Sequence, residues 1–105
     1  MAEFTRVAKT RGIPPGQIRS FDVDGEDVAV ANVAGTFHAF SNICPHQGVP
    51  FTGGVGAVYG NEVICLMHDS VFSLETGEWT DGPASDPLPI FKCRVEGDEV
   101  FVAKD

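Results

Sequence analysis

Turn signals recur along this chain at close spacing, with strand-length runs between them. Arg11-Gly12-Ile13-Pro14-Pro15-Gly16, Asp24-Gly25, Ala34-Gly35, Gly60, Glu75-Thr76-Gly77 and Gly97-Asp98 punctuate its 105 residues. Proline fixes φ and cannot donate to a ladder, while glycine and aspartate accept the bends of tight hairpins. The runs in between are strand-length: 3–10, 17–23, 27–33, 36–41, 57–59, 61–66, 71–74, 78–80, 91–96 and 99–103. Short runs at close, regular spacing predict an all-β fold, a small antiparallel sandwich or barrel. The length suits one domain over 1–105 with a modest core. No helix, repeat or linker is expected.

Two of the connections carry the chemistry. Cys44-Pro45-His46 and Cys65-Leu66-Met67-His68 each offer one thiol and one imidazole, with 18 residues between His46 and Cys65. Gly48, Gly53, Gly54, Gly56 and Gly60 lie in that stretch and let it fold back. Two thiolates and two imidazoles make a four-ligand site, for which zinc and iron–sulfur are the candidates. Cys65 and His68 have zinc-like spacing, but a Cys-x-His pair with a rigid proline inside it chelates a single tetrahedral ion poorly. A two-metal cluster removes the difficulty, because ligands of one run can go to different metals.

Cys-Pro-His followed by Cys-x-x-His resembles the binding motif of Rieske [2Fe–2S] proteins. The likeness continues through Val71-Phe72-Ser73-Leu74, Thr76-Gly77, Pro83-Ala84, Pro87-Leu88 and Val95-Glu96-Gly97-Asp98. It is similar to the soluble Rieske ferredoxins of bacterial aromatic-ring-hydroxylating dioxygenase systems. That resemblance implies a cluster-binding part at about 42–86, made of two ligand loops and a covering proline loop near Pro83. Cys44 and Cys65 would bind one iron, and His46 and His68 the other through Nδ1. It further implies an electron carrier, not an enzyme, serving aromatic hydrocarbon catabolism. Electrons would come from an NAD(P)H-dependent flavin reductase and go to a terminal oxygenase. Pro45, Gln47, Met67 and Asp69 would surround the docking tip. Two alternatives remain: a small Rieske-like subunit of an assimilatory nitrite reductase, and a zinc-stabilised interaction module.

Two neutral imidazoles leave the oxidised cluster uncharged where four thiolates would leave it at minus two, which raises the potential to between about −150 and +300 mV. High-potential relatives add a loop disulfide and a tyrosine donor to a ligand sulfur; the matching positions here are Val49, Met67 and Phe72. Ser70 keeps one hydroxyl donor. With fewer donors to the sulfurs, the expected potential lies in roughly the lower third of that range. Leu66 stands where proline is usual and Asp69 where glycine is usual. Aspartate tolerates φ > 0, and its charge would lower the potential further.

Fifteen Asp and Glu against seven Lys and Arg give a net charge of −8. Nucleic acid, which demands a basic face, is excluded as a partner, while basic protein patches are favoured. No run approaches the length of a membrane helix, and the start lacks a signal-peptide profile, so a cytoplasmic protein is expected. Cys93, the third cysteine, is expected to be a small buried core residue facing inward with Phe91 and Val95. His38 shares a face of its strand with Phe40 and is expected at the rim, not as a fifth ligand. Trp79 reads as a core or rim aromatic. His68-Asp69-Ser70 is no catalytic triad, since adjacent residues do not converge, and Gly53-Gly54-Val55-Gly56 is no phosphate loop.

Overall fold

The core is organised by β3 (Glu26–Val33), whose valines and alanines alternate. In the computed structural model, which describes residues 4–43, 51–53, 56–65, 70–81 and 87–103, Val28 and Val30 face one way and Ala29 and Ala31 the other. All four are completely buried. A strand buried on both faces needs layers on both sides, and the chain supplies them.

On the valine side the sheet curls around its own core. A six-stranded antiparallel sheet runs in the order β1 (Thr5–Lys9), β10 (Glu99–Ala103), β9 (Ile90–Glu96), β4 (Thr36–Ser41), β3 and β2 (Ile18–Val23). Its interior holds Ile13, Val23, Val28, Val30, Ala39, Val100 and Val102. On the alanine side lies a second antiparallel sheet: β5 (Gly56–Tyr59), β6 (Glu62–Cys65), β7 (Ser70–Ser73) and β8 (Trp79–Asp81), in that order. Phe40, Phe51, Val63, Phe72, Leu74 and Leu88 fill the space above Ala29 and Ala31. The small alanines leave room for these rings; Phe40 meets Phe51 edge to face, centroids 5.6 Å apart, a favoured aromatic geometry.

Turn chemistry sets the register. Asp24-Gly25 and Ala34-Gly35 are two-residue loops between Val23↔Glu26 and Val33↔Thr36, with φ of 52°, 82°, 53° and 96°. Positive φ at both positions is the requirement of a type I′ hairpin. Ala34 bears it at a cost of about 1 kcal/mol.

The strands expected from the sequence are all present, within a residue or two at their ends. Two short 3₁₀ turns, Thr10–Gly12 and Phe51–Gly53, were not foreseen. The inward assignment of Val95 is corrected, since it is exposed, and Cys93 is only partly buried. β9 pairs with β4 at Phe91 and Ile90 alone, so its later residues lack a neighbour on that side. The four-stranded sheet is an insertion between β4 and β9: Phe40 pairs with Ile90, and the Ser41 amide donates to the Pro89 carbonyl at 2.9 Å.

Candidate metal centre

Register brings described ends of the two motif-bearing connections to one end of the small sheet. Cys65 pairs with Ser70 across β6 and β7, and residues 66–69, including His68, join them in sequence. On its other side Cys65 pairs with Gly56 of β5. The first connection leaves β4 through Asn42 and Ile43 and returns at Phe51–Gly53, which packs against β5. Only two residues separate Gly53 from Gly56, so these lie within about 11 Å of each other. β8 ends at Asp81, paired with Val71 next to Ser70, and residues 82–86 follow.

Cys44, His46 and His68 themselves, with Pro45, Gln47, Val49, Leu66, Met67, Asp69 and Pro83, lie outside the described residues. Cys65 enters by its strand position. In sequence, each connection carries one thiol-and-imidazole run, a donor set whose chemistry fits a cluster held by two thiolates and two imidazoles. Among the described residues, no three His, Cys, Asp or Glu side chains are placed to share a metal.

The base of the first connection is tied by Asn42, which sequence reasoning passed over. It is 1 % exposed. Its N–H donates to the Asp27 carbonyl (3.0 Å) and its carbonyl accepts from the Phe51 amide (2.7 Å). The side-chain oxygen accepts from the Thr52 amide (3.2 Å), and Nδ2 donates to Thr52 Oγ1 (2.9 Å) and to both Asp27 carboxylate oxygens (3.2 Å each). A buried side-chain amide satisfied on every side is what such a position requires. No motif spacing announces it; an Asn just before a ligand run is the faint signal available.

His38 sits at the far end of the small sheet, in a cleft of about 300 Å³ lined also by Leu74, Glu75, Phe91 and Cys93. Leu74 and Glu75 follow β7 at the end away from Ser70, which places His38 apart from the ligand connections and agrees with a rim residue. Its Nε2 is buried and hydrogen-bonds to no described residue. Burial holds the imidazole below its ordinary pKa of 6.5, against a smaller upward pull from the Glu75 carboxylate. The neutral form is therefore favoured in the folded state, and the unfolded chain takes up the proton first. Stability owed to this group is complete above about pH 6.5 and declines as pH falls toward the lowered native value. His38→Gln is expected to lose less of its urea midpoint than wild type between about pH 7.5 and 5.5; equal losses would refute this. Burial also pushes the Cys93 thiol up to about 11, so it stays protonated and unreactive near neutrality.

Comparison with known proteins bears directly on this arrangement. The family model for the Rieske [2Fe-2S] domain matches residues 3–92. The biphenyl dioxygenase ferredoxin subunit of Pseudomonas sp. (strain KKS102) is 32 % identical over 99 residues, covering 94 % of this chain and 90 % of its own. The ferredoxin of carbazole 1,9a-dioxygenase from Nocardioides aromaticivorans IC177 superposes with a TM-score of 0.88 at 31 % identity, covering 97 % of this chain and 98 % of its own. A ferredoxin solved in complex with the oxygenase of carbazole 1,9a-dioxygenase gives 0.86 at 28 % identity, covering 97 % and 94 %. No helix of the described chain is long and apolar enough to cross a membrane.

Proposed function

Because the chain belongs to the Rieske [2Fe–2S] domain family, we propose that it carries single electrons from an NAD(P)H-dependent flavin reductase to a terminal oxygenase in the cytoplasm. The observation that carries this reading is the end-to-end likeness to ferredoxins of oxygenase systems, one of them solved with its oxygenase. A Rieske-type [2Fe–2S] cluster is the cofactor of the family, and the zinc alternative falls away with it. In the proposed ligand set Cys44 and Cys65 hold one iron and His46 and His68 the other. The cluster supplies a one-electron couple.

The protein's part is to hold, tune and present that couple. Asn42 and the β6–β7 hairpin fix the departure points of the two runs. Phe72 is completely buried on β7 opposite Val63 and offers no hydroxyl, which supports a potential of the low type. Charge bears on presentation. Residues 20–91 contain ten of the fifteen Asp and Glu and none of the seven Lys and Arg. Acidic charge without basic residues along this stretch favours a small, transient interface with a basic partner.

The test mixes dithionite-reduced protein with an oxidised terminal oxygenase under single-turnover conditions. The transfer rate constant should fall several-fold between roughly 20 and 300 mM salt, as steering is screened, and a redox titration should place the midpoint below about 0 mV. No electron transfer to any oxygenase of this class would sink the reading, and a midpoint above about +100 mV would sink its low-potential part.

A further inference from the structure

We infer that Asn42 is a positioning residue for the first ligand run, acting through a clamp that joins both ends of the loop to the β2–β3 hairpin. The inference rests on the reading of Cys44 and His46 as ligands and names what aims them.

Eight residues, 43–50, leave Asn42 and come back to Phe51. Both the main chain and the side chain of Asn42 grip the returning end, at Phe51 N and at Thr52 N and Oγ1. Closing a loop costs chain entropy that only contacts at its base can offset. Here one residue supplies those contacts, two positions before Cys44. The third arm is Asp27, which meets Asn42 through its carbonyl and both carboxylate oxygens. Asp27 lies on β3, paired with Asp22 of β2, so the clamp ties the loop to the large sheet, while Phe51 on its returning end packs in the core shared with the small sheet. Asn42 thus ties both ends of the first ligand run to β3. The side-chain orientation follows from chemistry: the carboxylate needs a donor and the Thr52 amide needs an acceptor, so Nδ2 faces Asp27 and Oδ1 faces Thr52 N.

A buried polar hub could instead serve stability alone. The difference shows at the metal. Partners that orient metal ligands typically change metal affinity ten- to a hundredfold when removed, while general destabilisation leaves the cluster's spectrum alone. The experiment compares holoproteins carrying Asn42→Ala, Thr52→Val and, as a control, Val100→Ala, a core truncation inside the large barrel. Each is read by the rate of iron loss to a chelator, the visible circular dichroism of the oxidised cluster and the EPR g-values of the reduced one. Asn42→Ala should release iron roughly tenfold faster or more and shift the g-values. Thr52→Val, which removes one arm, should do so to a smaller degree; it also carries the test if Asn42→Ala does not fold. Val100→Ala should lower thermal stability with an unchanged spectrum. If Asn42→Ala, or Thr52→Val in its place, keeps wild-type g-values and loses iron no faster than Val100→Ala, the inference is wrong. Cys44→Ala separates the parent reading: an intact cluster there would overturn the ligand set itself, whatever Asn42 does.

Discussion

His68→Ala should yield a folded chain that holds less than the full pair of irons and lacks the visible absorption and reduced-state EPR signal of a Rieske cluster. The proposed site has four protein ligands, and this variant removes one of them. Residues 66–69 join Cys65 to Ser70, which pair across β6 and β7, and packing holds the register of those two strands. A register shift of one would turn Val63 and Phe72, both fully buried, to the opposite face. Since metal binding and folding are linked, the variant should also be less stable than wild type. Iron and acid-labile sulfide analysis with the two spectra decides the matter. A normal spectrum with two irons per chain would remove His68 from the ligand set.

Gly77→Ala should be the most damaging conservative change outside the ligands. Gly77 has a φ of 80°, and a methyl group built there would overlap the Leu88 carbonyl oxygen and lie 2.9 Å from Ile90 Cγ1. The backbone cannot retreat easily, because the Gly77 amide donates to Ser73 O at 2.8 Å and its carbonyl accepts from the Leu88 amide at 2.7 Å. Strain at positive φ costs roughly 1–2 kcal/mol and forced overpacking about 1–3 more. A combined loss of about 3 kcal/mol should lower Tm by more than about 10 °C. Leu88 would be displaced from beside Phe72 and Leu74, loosening the segment that follows residues 82–86. A Tm within about 3 °C of wild type would show that the turn accommodates the methyl group.

Local physics made much of the fold legible. Val28-Ala29-Val30-Ala31 between two turn signals already describes a strand with two distinct faces, and Asp24-Gly25 names its hairpin. Thr76-Gly77 announces a turn, but not that its glycine is pressed against Leu88, eleven positions on, because close approach between distant segments leaves no local pattern. The same holds for Cys93 and Val95. Alternation predicts which residues share a face, whereas burial depends on a neighbour, and β4 departs from β9 after two pairs. The proposed donor set, Cys44, His46, Cys65 and His68, rests on residue chemistry alone, because Cys44, His46 and His68 lie outside the described residues. The residue at the base of the first run was not legible, since Asn42, Asp27 and Thr52 meet only after the β2–β3 hairpin folds against the 3₁₀ turn at Phe51–Gly53.

The rung formed by Phe40 and Ile90, capped by the Ser41–Pro89 hydrogen bond, has an architectural corollary. Chain enters and exits the redox half through one doorway, so in connectivity that half is an enlarged hairpin tip grafted onto an otherwise ordinary β4–β9 corner. Topologically it could be lifted off and a short turn put in its place. Chemically it could not, because Ala29, Ala31 and Phe40 would then form a greasy exterior wall. Any host for such a graft must therefore offer both a matching doorway and a shallow, small-residue seat beside it.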